Sequence, residues 1–201
     1  MLDKAIELNP QFAQAWYNKG ITFSVMGRID DEIVAYDNAI KINPDYAEAW
    51  NNRASALGRM GRFEEALESA DKAAALKPDF AIAWCNKGAA LSALGRDLEA
   101  VTAYEKAIEI RGNYVEAWYN KAVSLHNLDK PNGALKAYDR TLELSPDFAE
   151  ALYNRAGLLA KQNETDKAAA DLRRAIELDP ALKEKALSDN ELRDMVSITD
   201  V

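Results

Sequence analysis

Three regularities in this 201-residue sequence predict an all-helical solenoid, a rod of stacked helix pairs. Four tryptophans recur at a fixed spacing, apolar residues follow each of them at helical intervals, and glycine and proline return where helices must stop. Trp16, Trp50, Trp84 and Trp118 are 34 residues apart, and Leu152 falls at the next step. A fixed period of roughly 20–50 residues marks architectures in which each unit buries its apolar face only against its neighbours.

The repeating units are residues 13–46, 47–80, 81–114, 115–148 and 149–182, each read as two helices. In the first unit Trp16, Gly20, Phe23 and Met26 advance by four, three and three, which sets them on one helical face. Gly27 ends that helix, because a left-handed residue is the usual C-cap and glycine adopts it without strain. Gly61 and Gly95 repeat this role, and Asp129 and Asn163, two residue types that tolerate the same conformation, take it in the last two units. The second helix carries Ile33, Tyr36, Ala39 and Ile40 at helical spacing, and Pro44 lies beyond its end. Pro44-Asp45-Tyr46, Pro78-Asp79-Phe80 and Pro146-Asp147-Phe148 then supply a turn and an aromatic expected to plug the gap between consecutive units. Glu32 stands where the later units have Ala66, Ala100, Ala134 and Ala168, so looser packing is expected in the first pair.

The two ends differ from the repeats. Residues 1–12 read as a remnant of the second helix of a preceding repeat, with Leu2, Ala5, Ile6 and Leu8 aligning with Tyr36, Ala39, Ile40 and Ile42. Their first helix is missing, so either a longer protein supplies it or the apolar edge pairs with another molecule. Residues 183–201 read as a capping helix and tail, with Leu182 to Leu187 forming a short helix. Ser188-Asp189-Asn190-Glu191 follows as a capping box that starts another turn through Leu192 to Met195. Ser197 to Val201 are expected to be frayed.

Ala15-Trp16-Tyr17-Asn18-Lys19-Gly20 and its four successors, the small residues Ala66, Ala100, Ala134 and Ala168, and the aromatics Tyr36, Tyr104 and Tyr138 together resemble the tetratricopeptide repeat family over residues 13–182. Lys19, Arg53, Lys87, Lys121 and Arg155 depart from it by replacing the leucine before the small residue. Ala70, Leu172, Thr141 and Gly112 are further departures that leave the register intact. The resemblance implies a right-handed superhelix with a concave groove lined by the first helix of each pair.

Composition narrows the partners. With 25 Lys and Arg against 33 Asp and Glu the net charge is −8, and no basic cluster is present, so nucleic acid and anionic membrane surfaces are poor ligands. A neutral or mildly basic protein or peptide fits better. The single cysteine, Cys85, forms no internal disulfide and suits a reducing, cytoplasmic setting. No apolar run approaches the roughly 20 residues that span a bilayer. His126 is the only histidine, which leaves no histidine pair for a metal, and no glycine-rich phosphate loop is present. The expectation is therefore an interaction scaffold, not an enzyme, with no cofactor and no metal.

The groove implied by the resemblance has one regular polar member, Asn18, Asn52, Asn86, Asn120 and Asn154. An amide offers an acceptor and two N–H donors, the complement of a peptide unit, so such a row suits an extended chain; it equally suits bonds to a neighbouring repeat. Tyr17, Tyr119 and Tyr153 stand beside it, each a large ring with a polar tip. Ile21, Ser55, Ala89, Val123 and Gly157 form the floor, and Gln14, Glu48, Ile82, Glu116 and Glu150 the edge. The lysines and arginines with which this family clamps a terminal carboxylate are missing from the matching places. End-to-end self-association through Leu2, Ala5, Ile6 and Leu8 is the rival reading. A third is that the chain is the recognition arm of a larger enzyme.

Overall fold

A computed structural model describes residues 2–199, without the side chains of Asp3 and of residues 197–199. Among the described residues there are thirteen helices and no strand. They form two compact units, Met1–Gly112 and Asn113–Val201.

The first unit holds α1 (Leu2–Leu8), α2 (Ala13–Val25), α3 (Ile29–Ile42), α4 (Ala47–Arg59), α5 (Phe63–Leu76), α6 (Ala81–Ala93) and α7 (Asp97–Ile110). From α2 onward they pack as successive pairs, α2 with α3, α4 with α5 and α6 with α7, and each pair also rests on the next. Small residues make the approach possible. Ala39, Ala49, Ala73, Ala83, Ala100 and Ala107 have no exposed surface, and close helix contact needs such side chains. Gly20 on α2 faces the ring of Tyr36 on α3, and Gly88 on α6 faces that of Tyr104 on α7, so tightly that a Cβ at either glycine would overlap the ring.

The second unit holds α8 (Val115–Asn127), α9 (Pro131–Leu144), α10 (Ala149–Lys161), α11 (Thr165–Leu178), α12 (Ala181–Ser188) and α13 (Arg193–Thr199). Its core runs from Ala122, Tyr138 and Leu142 through Leu152, Leu159 and Leu172 into Leu182, Ala186, Leu192, Met195 and Val196. The last two helices therefore cover the apolar side of the α10–α11 pair.

The stops work as the residue types demand. Gly27, Gly61 and Gly95 have φ of 70°, 73° and 74°, and Asp129 and Asn163 have 53° and 62°. After each, a backbone N–H returns to the carbonyl five residues back, as Arg28 does to Phe23 at 3.0 Å and Glu164 to Leu159 at 2.9 Å. That is the Schellman arrangement, which satisfies carbonyls left over at a helix end. The tryptophans anchor the linkers. Trp16, Trp50 and Trp84 donate their indole N–H to the carbonyls of Pro10, Pro44 and Pro78 at 3.2, 2.8 and 2.9 Å.

Four details differ from the sequence reading. Glu32 does not loosen the first pair, since α2 and α3 pack as tightly as later pairs; its buried carboxylate instead accepts a hydrogen bond from Arg59 on α4. Met26 leaves the core face because it is the C-cap of α2, and it is largely exposed. Ser188 does not open a capping box, for its hydroxyl bonds back to the Glu184 and Lys185 carbonyls. Asp189 organises that turn by accepting the Glu191 N–H at 2.9 Å. Finally α13 carries the backbone through Thr199, while Asp200 and Val201 lie outside the described residues.

Candidate functional site

Each first helix begins with a small or β-branched residue at its N-terminus and places an asparagine at its sixth position, Asn18, Asn52, Asn86, Asn120 and Asn154. All five are half-buried. In the first unit the amides form a relay. Asn86 on α6 donates to the Asn51 oxygen at 3.0 Å, Asn51 donates to the Asn52 oxygen at 3.2 Å, and Asn52 donates to the Tyr17 hydroxyl at 3.3 Å and the Tyr36 hydroxyl at 3.5 Å. The relay ties α6, α4 and α2. Asn18 accepts from Gln14, whose own oxygen accepts from Tyr46. In the second unit Asn154 donates to the Tyr119 hydroxyl at 3.1 Å. Asn52, Asn86 and Asn154 thus each donate an N–H to the repeat before them, whereas Asn18 accepts through its oxygen from its own helix.

The tyrosines are less uniform than their spacing suggests. Tyr17 packs on Tyr46 with centroids 4.9 Å apart, and Tyr119 on Phe148 at 4.7 Å, so the inter-repeat aromatics cover one face of each ring. Both stay half-buried. Tyr153 is 4% exposed. Lys185 of α12 lies over its ring at 4.3 Å and its hydroxyl meets the Asp189 carboxylate at 3.3 Å. Tyr153 is therefore covered, unlike the half-buried Tyr119 of the same unit, because the C-terminal helices occupy that ground.

Burial raises the phenol pKa at each of these sites. Tyr36 and Tyr153 are pushed up to about 12, first by desolvation and then by the carboxylates of Glu32 and Asp189. Tyr17 and Tyr119 are raised for the same first reason. They are hydrogen-bonding groups at neutral pH, not bases. Glu48 on the edge is held below the ordinary carboxylate value by a hydrogen bond from Lys77 at 3.0 Å. His126 is lowered by partial burial and by Lys161. Cys85 is buried. Among the described residues no group of three or more His, Cys, Asp and Glu could hold a metal ion. No described helix is long and apolar enough to cross a membrane.

On the floor, Ile21, Ser55 and Ala89 are exposed in the first unit, whereas Val123 and Gly157 are half-buried in the second. The sequence reading missed a cavity of about 340 Å3 beside this floor, lined by Ile21, Ser24, Val25, Glu32, Tyr36, Asn52, Ser55 and Arg59. The signal was Glu32 in the column of alanines, but its partner Arg59 stands 27 residues away, where other repeats carry Val25, Ala93, Asn127 and Lys161.

Helical hairpins repeated every 34 residues in both units define a tandem helical-repeat fold. The chain belongs to the tetratricopeptide repeat family: models described as tetratricopeptide repeat match residues 1–33, 47–80, 81–114 and 119–182, and one described as TPR repeat matches 25–61. No curated protein matches the chain. Among solved structures it is similar to YrrB, described as a TPR protein with an unusual peptide-binding site, at 22% identity and TM-score 0.73, covering 100% of this chain and 98% of that one. It is similar to MamA at 22% identity and 0.73, covering 82% and 96%. It is also similar to pilF of Pseudomonas aeruginosa at 21% and 0.73, covering 93% and 88%. At these identities the likeness is one of fold.

Proposed function

We propose that this chain is a protein-interaction scaffold that holds an extended, neutral or mildly basic peptide along the exposed face of its first helices. The carrying observation is the coincidence, on α2, α4 and α6, of an exposed floor with amides that are positioned by one another. Asparagines held in a relay lose little side-chain entropy when a ligand arrives, so their remaining groups bind at lower cost. Each amide contact contributes only about 0.5–1.5 kcal/mol, so affinity needs several in register together with side-chain contacts. The peptide-binding site ascribed to YrrB is consistent with this reading. The reading assigns no catalysis to the chain and treats it as a cytoplasmic protein.

The test is capture of partners from a lysate by the wild type and by a Ser55→Glu/Ala89→Glu variant, which fills the floor without touching the relay. Loss of the bound proteins by the folded variant is expected. Equal recovery of every partner defeats the proposal. A second reading rests on Leu8, which is 79% exposed on α1: stacking of chains end to end through the edge of Leu2, Ala5, Ile6 and Leu8. Sedimentation over a wide concentration range decides it, since a chain that stays monomeric throughout does not stack.

A further inference from the structure

The cavity between the first two helix pairs has an uncommon build. Its mouth is apolar, with Ile21 39% and Val25 86% exposed, and its floor is a carboxylate. The Glu32 side chain is 3% exposed, and burying a carboxylate is costly unless both its oxygens are engaged. Arg59 donates to Oε2, and among the described residues Oε1 takes no hydrogen bond. The Tyr36 hydroxyl, in the same cavity, accepts from Asn52. Alanine holds this place in the other four repeats, so the helix pair does not need the acid for packing.

Next to this cavity, and sharing Ser55 and Arg59 with it, lies a second of about 260 Å3, lined mostly by carbon from Ala54, Gly58, Phe63, Ala66, Ala89 and Ala90. Adjacent first helices are spaced by about 8–10 Å and an extended chain rises about 3.3 Å per residue, so side chains about three positions apart would enter the two cavities.

Resting on the reading of this face as a peptide groove, we propose that the first cavity is a receptor for one lysine or arginine side chain of the bound peptide, and that the second takes an aliphatic side chain about three residues away. The methylenes of a long basic side chain pack along Ile21 and Val25 while its cationic head reaches the open oxygen of Glu32, the division of labour such side chains favour. Glu32 then bridges two cations. The mirror arrangement already exists in this chain, where Arg155 bridges Asp139 and Asp171. An acidic side chain would face the Glu32 charge; the half-exposed Arg59 is the one lining residue that would welcome it.

The experiment uses acetylated, amidated peptides of a Gly-Ser host carrying one Arg and one Leu about three positions apart in either order. Binding to the full-length 15N-labelled chain is followed by amide chemical shifts. The Arg–Leu peptide is expected to shift Ile21, Glu32, Ser55 and Ala89. Replacing its Arg by Gln or Glu is expected to weaken binding about tenfold or more, as loss of a charged hydrogen bond does. Glu32→Ala and Glu32→Gln, each checked for an unchanged fold by circular dichroism, are expected to weaken binding of the Arg peptide equally. If the Glu peptide binds as well as the Arg peptide, or if both Glu32 variants bind the Arg peptide unchanged, the receptor assignment is wrong while shifts along Asn52 and Asn86 keep the groove reading intact. Absence of any shift with every peptide overturns both.

Discussion

Two glycines of the third repeat are required for different physical reasons, one by space and one by backbone conformation. Gly88 has an ordinary backbone conformation but no room, because the Tyr104 ring occupies the place of its Cβ. Gly95 has room on every side but a φ of 74°. Gly88→Ala is expected to cost about 1–3 kcal/mol, the range for overpacking a core. Gly95→Ala is expected to cost about 1–2 kcal/mol, the strain of an L-residue in the left-handed region. Asparagine separates the causes: Gly95→Asn should recover most of the loss, since Asn163 holds the equivalent place at φ 62°, whereas Gly88→Asn should be worse than alanine. Urea denaturation of the four variants checks the order. The left-handed stops were legible in the sequence because they are a local backbone requirement. The Gly88–Tyr104 fit was visible only as two residue types 16 apart, since it depends on how two helices meet. The same limit hid the site's details. The asparagine row could be read from spacing, but not the direction of its relay, and the burial of Tyr153 depends on Lys185 and Asp189, beyond the last repeat.

Between helices, the basic residue that replaces the family's leucine acts as a brace. Arg53 on α4 reaches back to Asp37 on α3 at 2.6 Å and across to Ser69 on α5 at 2.7 Å. Lys87 on α6 pairs with Asp71 on α5 at 2.7 Å. Arg155 on α10 does most, binding Asp171 on α11 through two N–H groups at 2.7 and 2.8 Å and Asp139 on α9 at 2.7 Å. Asp171 is 9% exposed, so the fork is set against a carboxylate with little access to water. A lysine is a point charge and cannot reproduce the planar fork. Arg155→Lys is therefore expected to lose about 1.5–3 kcal/mol, the worth of hydrogen bonds to a charged group, in chemical denaturation. Lys19, Lys87 and Lys121 also lie 5.3–5.5 Å from the ring centroids of Trp16, Trp84 and Trp118 on their own helices. The substitution that looked like a departure from the family pattern thus has a structural reason in several repeats. At the C-terminus, deletion from Ala181 onward removes Leu182, Leu192, Met195 and Val196 from the core and bares Tyr153 together with the face of α11 that these helices cover. Such a truncation is expected to melt earlier and to bind a hydrophobic dye, and the Tyr153 phenol should return toward its ordinary value of 10.0 in a spectrophotometric titration.

Across the whole molecule, the buried ionisable groups set the pH range in which the fold is most stable. Tyr36 and Tyr153 titrate at about 12 when folded against 10.0 when free, and Tyr104 and Tyr138 are raised too, all chiefly by burial. An unfolded chain therefore releases these protons first as the pH rises. Their contribution is complete below pH 10 and is lost as the pH climbs toward 12, by up to about 2–3 kcal/mol each for Tyr36 and Tyr153. His126 works in the opposite sense. Burial and Lys161 depress it below 6.5, so its contribution is complete above that value and is lost as the pH falls through it, because the unfolded chain takes up the proton first. Glu48, held down by Lys77, adds a smaller, solvent-screened loss below about 4.5. The urea midpoint is therefore expected to be flat between about pH 7 and 10 and to fall on both sides. His126→Gln should remove the first part of the acid fall, and Tyr36→Phe should shallow the alkaline one. A midpoint that still falls with unchanged steepness from pH 10 to 12 in Tyr36→Phe would show that this phenol is not held protonated by the fold. It would also weaken the picture of a dry Tyr36 wedged between Gly20 and the Glu32 cavity.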